Sequence, residues 1–143
     1  QAGLPGRNIV QIGISDFANS REYAQRAKEQ GIYIITRDQL RRQSMKDAMK
    51  EAFSTLNRRV DQIYIDLDVD VCDRSVAPAC PASVPGGISA DELRQAAFYS
   101  GANSKVRAID ITEIDAKKDS ADQRTIRLAA LLVLEFAAGV ATR

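Results

Sequence analysis

The residues best suited to chemistry lie in one run, Ile63-Tyr-Ile-Asp-Leu-Asp-Val-Asp-Val-Cys-Asp73, where an apolar strand pattern is interleaved with four carboxylates. Successive side chains of an extended chain alternate faces. The spacing therefore predicts Asp66, Asp68 and Asp70 on one side and Ile65, Leu67, Val69 and Val71 on the other. Three like charges on one face repel, and burying them unpaired is costly or drives them to take up protons. The pattern implies a bound positive charge. Carboxylates two residues apart suit a hard or borderline divalent cation such as Mn²⁺ or Mg²⁺, and can reach separate ions or share a bridging one. A pair of such ions lowers the pKa of a shared water and orients it for attack. The same residues also admit a structural reading, in which Asp68 and Asp70 cap loop amides and pair with Arg74 or Arg107.

Four strands and their helices must position this run. Asn8–Ile14 and Ile32–Ile35 read as short buried strands, Gln62–Val69 as a central parallel strand and Lys105–Ile111 as a fourth. Asn19 with Glu22, Thr36 with Gln39, and Ser89 with Glu92 have the spacing of helix N-terminal capping pairs. Gly31 should close the first helix, and Gly101 the helix that runs from Ser89 to about Ser100. Between Gln43 and Arg59, Met45, Ala48, Met49, Ala52, Phe53 and Leu56 recur at three and four positions, one apolar stripe of a helix. Ser120 and Gln123 mark the start of a last helix, 121–138, whose apolar centre suggests packing against a sheet. This order is α/β, a three-layer α/β/α arrangement with helices covering a mostly parallel sheet.

In such sheets ligands gather beyond the carboxyl ends of the strands. Asp68 and Asp70 fall at the end of the third strand, and Asp110 with Glu113 at the end of the fourth. Glu113 could receive a cationic substrate group through charge-assisted hydrogen bonds, with Asp110 orienting a neighbour. Asp66 lies deeper, as a supporting acid, and Asp73 should fix the following loop through backbone amides. That loop, Ala77–Gly87, is stiffened by three prolines and ends in Gly86-Gly87. Cys80 and Ser83 lack a local base and are poor nucleophiles.

The composition narrows the classes. With 143 residues and 45% hydrophobic content the chain is the size of one globular domain. Twenty Lys plus Arg against nineteen Asp plus Glu leave a net charge of +1, which gives no general attraction for nucleic acid or anionic lipid. The apolar stretch Leu128–Val140 is interrupted by Glu135 and is too short to span a bilayer, so the expectation is a soluble, cytoplasmic protein with no membrane partner. Cys72 and Cys80 are expected as free thiols. The chain contains no histidine, which excludes imidazole as ligand or base within it.

Asp68-Val-Asp-Val-Cys-Asp-Arg-Ser-Val-Ala-Pro78, followed by Gly87, resembles the second metal-binding signature of the ureohydrolase family, which includes arginase, agmatinase and formimidoylglutamase. Ile109-Asp-Ile-Thr-Glu-Ile-Asp115 is similar to the family's Asp-x-x-Glu strand end, and Val10-Gln-Ile-Gly-Ile14 to the strand that opens its C-terminal half. The resemblance implies an arginase-like but incomplete fold across 1–143. It implies Asp68 and Asp70 as ligands of a binuclear Mn²⁺ centre and Glu113 as the contact for the guanidino or formimino end of a small substrate, with Asp110 and Asp73 supporting. In such enzymes an ion-activated hydroxide attacks the amidine carbon, releasing urea or formamide. Asp73-Arg-Ser75 and the Pro81-Ala-Ser-Val-Pro-Gly-Gly87 run are more similar to formimidoylglutamase than to arginase.

Arg74 stands where the family has proline, and the histidine-bearing Gly-Gly-Asp-His and Asp-Ala-His-x-Asp motifs are not found in this chain. The expectation is a C-terminal half without its metal-binding N-terminal half, hydrolytically inactive alone and associating with that half or with itself. Two other readings remain open: a non-catalytic α/β domain with a residual cation site, and a phosphoacceptor domain, which would want a lysine such as Lys105 or Lys117 beside the acids.

Overall fold

A computed structural model describes residues 3–143, which form two compact units, one ending at Asp61 and the other spanning Gln62–Arg143. In the first, β1 (Val10–Ile14) is followed by α1 (Arg21–Glu29), β2 (Tyr33–Thr36), α2 (Arg37–Leu40) and α3 (Met45–Leu56). β1 and β2 pair in parallel from Val10↔Tyr33 to Ile14↔Thr36, with a register shift at Gly13, whose φ of +94° only glycine adopts without strain. Helix α1 starts one residue later than the Asn19 pattern predicted. Its cap is Ser20, whose Oγ accepts from the Tyr23 N–H at 3.2 Å. Gly31, at φ +72°, turns the chain out of it as expected. Thr36 and Gln39 form the full reciprocal box, at 3.2 and 2.7 Å.

The predicted long helix from Gln43 is real but shorter. Ser44 caps it, and Met45, Ala48, Met49, Ala52 and Leu56 are its buried stripe, so the methionines belong to the core.

The second unit holds β3 (Ile63–Asp68), a 3-10 turn at Val69–Val71, α4 (Ala90–Ala102), β4 (Val106–Thr112), a second 3-10 turn at Ala116–Lys118 and α5 (Arg124–Val140). β3 and β4 are parallel, with Asp66↔Asp110, Leu67↔Ile111 and Asp68↔Thr112 as facing pairs. Every strand pairing is parallel, as the element order implied. Each unit holds one of these two-stranded parallel sheets, β1–β2 in the first and β3–β4 in the second.

Helix α4 begins with the predicted Ser89–Glu92 box, at 3.2 and 2.7 Å. It does not stop at Gly101. That glycine stays helical because α5 crosses there: a methyl group on Gly101 would sit 2.1 Å from the Phe136 carbonyl oxygen, and one on Gly139 2.1 Å from that of Phe98. The two backbones touch, and the Arg94 Nε to Glu135 Oε1 bond of 3.0 Å ties the same helix pair further along. Helix α5 therefore packs principally on α4.

Its start also differs from the prediction. Gln123, at φ +53°, offers no side-chain cap; Asp119 does that work from four residues upstream, accepting from the Thr125 and Ile126 N–H groups at 3.3 and 3.0 Å.

Gly101→Ala and Gly139→Ala should each lower stability by about 1–3 kcal/mol, because overpacking at a backbone contact outweighs the ~1 kcal/mol of helix propensity gained. Denaturant unfolding would show this as a lower midpoint at unchanged slope.

Candidate functional site

The site is built where β3 and β4 end. Alternation holds as far as Asp68, whose side chain leaves the strand and caps the following 3-10 turn by accepting from the Asp70 N–H at 3.0 Å. Asp70 therefore sits on the turn and not on the strand, and the predicted straight row of three acids breaks between Asp68 and Asp70. The turn nevertheless keeps the two carboxylates together. Burial pushes the Asp70 carboxyl up to about 6; the charge of Asp68 and a hydrogen bond with it come next, and then the charges of Glu113 and Asp66. Of the structural reading, the capping of a loop amide is seen for Asp68, while no ion pair to Arg74 or Arg107 forms among the described residues.

Glu113 reaches this cluster because it follows Thr112, the residue that faces Asp68 in the ladder. It is exposed and holds φ +63°, a left-handed conformation uncommon for a non-glycine residue and found disproportionately at ligand sites. The structure thus brings Asp68, Asp70 and Glu113 into one electrostatic neighbourhood.

Asp66 and Asp110 form a second tier one step down the ladder. Asp66 Oδ1 accepts from the Thr112 hydroxyl at 2.8 Å, while partial burial and the charges of Asp110 and Asp68 hold its pKa above the usual value. Asp110 lies two residues before the strand end, inside β4 and not at its terminus. It accepts from the Tyr64 hydroxyl, whose pKa that bond pushes up to about 12, while its Oδ1 is buried without a hydrogen-bond partner among the described residues. The Asp66↔Asp110 pairing and the contribution of Tyr64 escaped the sequence reading, because strand register is not legible from one chain.

Asp73 braces the loop, as predicted. Its Oδ1 accepts from the Ser75 hydroxyl and N–H at 2.6 and 2.8 Å, its Oδ2 accepts from the Gly86 N–H at 2.7 Å, and these bonds hold its pKa low. Gly87 is required beside it, since a methyl group there would lie 2.3 Å from the Cys72 carbonyl carbon. The Arg74 guanidinium donates to the Cys80 carbonyl, and the buried Ser83 hydroxyl donates to the Ala77 and Cys80 carbonyls at 3.0 and 3.1 Å. Ser83 is thereby occupied in folding the loop. Cys72 and Cys80 are free and fully buried, and burial pushes the Cys72 thiol up to about 12, leaving it unreactive.

Asp119 was missed altogether. Partial desolvation works to raise its pKa, but donors from Ile126, Thr125 and Ser120 outweigh it and hold the group below 3.8. The Thr125 hydroxyl donates to Asp119 Oδ1 at 2.8 Å and accepts from the Ala79 N–H at 3.1 Å, which fastens the proline-rich loop to the head of α5. An acid followed by hydroxyl residues ahead of a helix was the available signal, masked by the nearer Ser120.

The region Gln1–Gly139 matches the model of the arginase family. The chain belongs to the arginase family. It is 38% identical over 136 residues to the formimidoylglutamase of Halalkalibacterium halodurans, which covers 95% of this chain and 42% of that protein. The crystal structure of formimidoylglutamase from Bacillus subtilis superposes with a TM-score of 0.90 at 37% identity, over 94% of this chain and 42% of the other. A Trypanosoma cruzi formiminoglutamase with Mn²⁺ superposes at 0.88 and 23% identity, over 100% of this chain and 46% of its own, which bears on the fold. The architecture is therefore an arginase-type α/β fold in part, and the chain spans less than half the length of the relatives it matches. The family displaces the phosphoacceptor reading.

No group of three or more His, Cys, Asp or Glu able to hold a metal ion occurs among the described residues, and no helix there is long and apolar enough to cross a membrane.

Asp119→Ala should cost about 1–2 kcal/mol as a lost helix cap, with a lower unfolding midpoint. Because its folded pKa lies below the unfolded value near 3.8, Asp119 contributes fully above that pH, and the contribution fades as pH falls through the folded value. Asp119→Asn should flatten the acid limb of a stability profile over that range.

Proposed function

We propose that these residues are the C-terminal part of a manganese-dependent hydrolase of linear amidines, specifically a formimidoylglutamase that converts N-formimidoyl-glutamate to glutamate and formamide. The observation that carries this reading is the meeting of Asp68, Asp70 and Glu113 at one end of the β3–β4 pair, in a chain with formimidoylglutamase relatives.

The donor chemistry fits a hard divalent cation. Two carboxylates crowd together, the pKa of one is raised toward neutrality, and no cationic side chain pairs with either among the described residues. The donor number does not suffice for a pair of ions, each of which takes about five or six ligands. The rest, histidines included, come in this reading from the part of the protein outside these residues. Manganese is supported by its presence in the Trypanosoma cruzi relative.

Bound in this position, a pair of Mn²⁺ ions supplies a nucleophile from water at neutral pH. Asp68 and Asp70 hold the ions, and the Asp70 N–H fixes the rotation of the Asp68 carboxylate. Glu113 accepts hydrogen bonds from the protonated formimino nitrogen, which orients the amidine carbon toward the strand ends. Asp66 and Asp110, deeper in the ladder, add negative potential that favours cations at the rim. The reading includes a cytoplasmic location, consistent with two free thiols, and self-association of the complete protein.

In the full-length protein, calorimetric titration with Mn²⁺ should show two bound ions, and Asp68→Ala or Asp70→Ala should lose at least one together with about 10²-fold or more of the activity on N-formimidoyl-glutamate. Unchanged manganese stoichiometry in both variants contradicts the assignment. Glu113→Gln should leave manganese binding intact and lower kcat/KM by about 10–100-fold through loss of a charge-assisted contact worth about 1.5–3 kcal/mol. Comparing agmatine and arginine in the same assay tests the substrate. The 143 residues alone should show no amidine hydrolysis with added Mn²⁺, and measurable turnover would overturn the shared-site reading.

A further inference from the structure

The Glu113 backbone lies at φ +63°, which a residue with a side chain ordinarily avoids. Such a conformation persists only where the surroundings over-determine it. On the near side the constraint is the ladder. Thr112 pairs with Asp68, and its hydroxyl donates to Asp66 Oδ1 at 2.8 Å. On the far side only Ile114 separates Glu113 from Asp115. The Asp115 N–H donates to the Ala79 carbonyl at 3.0 Å, and the Asp115 carboxylate caps the turn Ala116–Lys118 by accepting from the Lys117 N–H at 3.1 Å. Glu113 is thus held between two fixed points.

The far point depends on α5. The residues beside Ala79 turn back on their own loop: the Cys80 N–H donates to the Ala77 carbonyl at 3.1 Å, and the Ala77 and Cys80 carbonyls accept from the Ser83 hydroxyl. Ala79 differs, because both of its backbone groups leave the loop. Its carbonyl accepts from Asp115, and its N–H donates to Thr125 Oγ1 at 3.1 Å. The single proton of the Thr125 hydroxyl is committed to Asp119 Oδ1 at 2.8 Å, so the lone pair offered to Ala79 has a fixed direction. Thr125 and Ala79 are buried, and a bond lost between them is not replaced by water. A helix cap needs only Asp119 and the N–H groups of Thr125 and Ile126, and has no use for this hydroxyl. The hydroxyl is the link that joins the head of α5 to the exit of β4.

We propose that Thr125, oriented by Asp119, is a positioning residue for Glu113: through the Ala79 peptide it holds the exit of β4 on the course that presents the Glu113 carboxylate to the substrate. The inference rests on the reading above that Glu113 receives the formimino end of the substrate. It adds which buried side chain sets that carboxylate in place, and it does not depend on the metal ligands.

The test uses the full-length protein. Thr125→Val keeps the shape and withdraws the hydroxyl, Thr125→Ser restores it, and Gly139→Ala serves as a destabilised variant that leaves this chain of bonds intact. Each is assayed on N-formimidoyl-glutamate below its unfolding midpoint, and hydrogen–deuterium exchange is read at the Asp115 amide. Thr125→Val should lower kcat/KM by about 10-fold at unchanged manganese stoichiometry and should speed exchange at Asp115 by about 10-fold or more. Thr125→Ser and Gly139→Ala should do neither. Combined with Glu113→Gln, Thr125→Val should add no further loss, because it acts through the same carboxylate. Should Thr125→Val not fold, Asp119→Ala, which frees the Thr125 hydroxyl, carries the same comparison with losses in the same direction. Unchanged exchange at Asp115, an equal loss in Gly139→Ala, or additive losses in the double variant would each overturn the proposal. If Glu113→Gln loses activity and Thr125→Val does not, the substrate reading stands and this inference alone falls; a fully active Glu113→Gln protein removes both.

Discussion

Everything in the second unit turns on carboxylates brought to one end of two parallel strands, with no cationic side chain paired to Asp68 or Asp70 among the described residues. The ladder sets Asp68 opposite Thr112, so that Glu113 arrives next to it, and the turn after β3 carries Asp70 back against Asp68. Burial and the neighbouring carboxylates go uncompensated, and the Asp70 pKa rises to about 6. A site that raises the pKa of its own acid in this way is electrostatically frustrated until a positive charge arrives. That frustration is the physical basis of the proposed metal site.

The loop from Cys72 to Gly87 keeps the frustrated geometry from relaxing. Asp73 closes it through Gly86 and Ser75, Gly87 permits the close approach to Cys72, and Thr125 with Asp119 anchors its middle to the head of α5. Helix α5 in turn is locked against α4 by reciprocal glycine contacts. Asp68 and Asp70, the proposed metal ligands, thus stand on a scaffold braced by other carboxylates, Asp73 and Asp119. Asp73 and Asp119 have lowered pKa values because backbone and hydroxyl donors satisfy them, whereas Asp66 and Asp70 have raised ones because donors do not compensate for burial and crowding.

Much of this was legible in the sequence because local chemistry decided it. The reciprocal caps at Thr36 and Ser89, the core stripe of α3, the loop brace at Asp73 and the four strands all follow from spacing alone. What was misread depended on partners distant in sequence. Gly101 looks like a helix terminator until Phe136 is known to lie against it, and Asp119 looks like a loop acid until Thr125 and Ala79 meet on it. The Asp66↔Asp110 pairing depends on register, which a single sequence does not encode locally. The apolar girth of α5 was visible, but its principal partner is α4 and not a sheet.

The most direct test of the central claim is anomalous diffraction at the manganese edge from crystals of the full-length protein. The account predicts two anomalous peaks at the carboxyl end of β3, with oxygens of Asp68 and Asp70 at about 2.0–2.6 Å, the range of carboxylate contacts to divalent ions. Peaks elsewhere, or Asp68 and Asp70 held by protein donors with no ion between them, would contradict it.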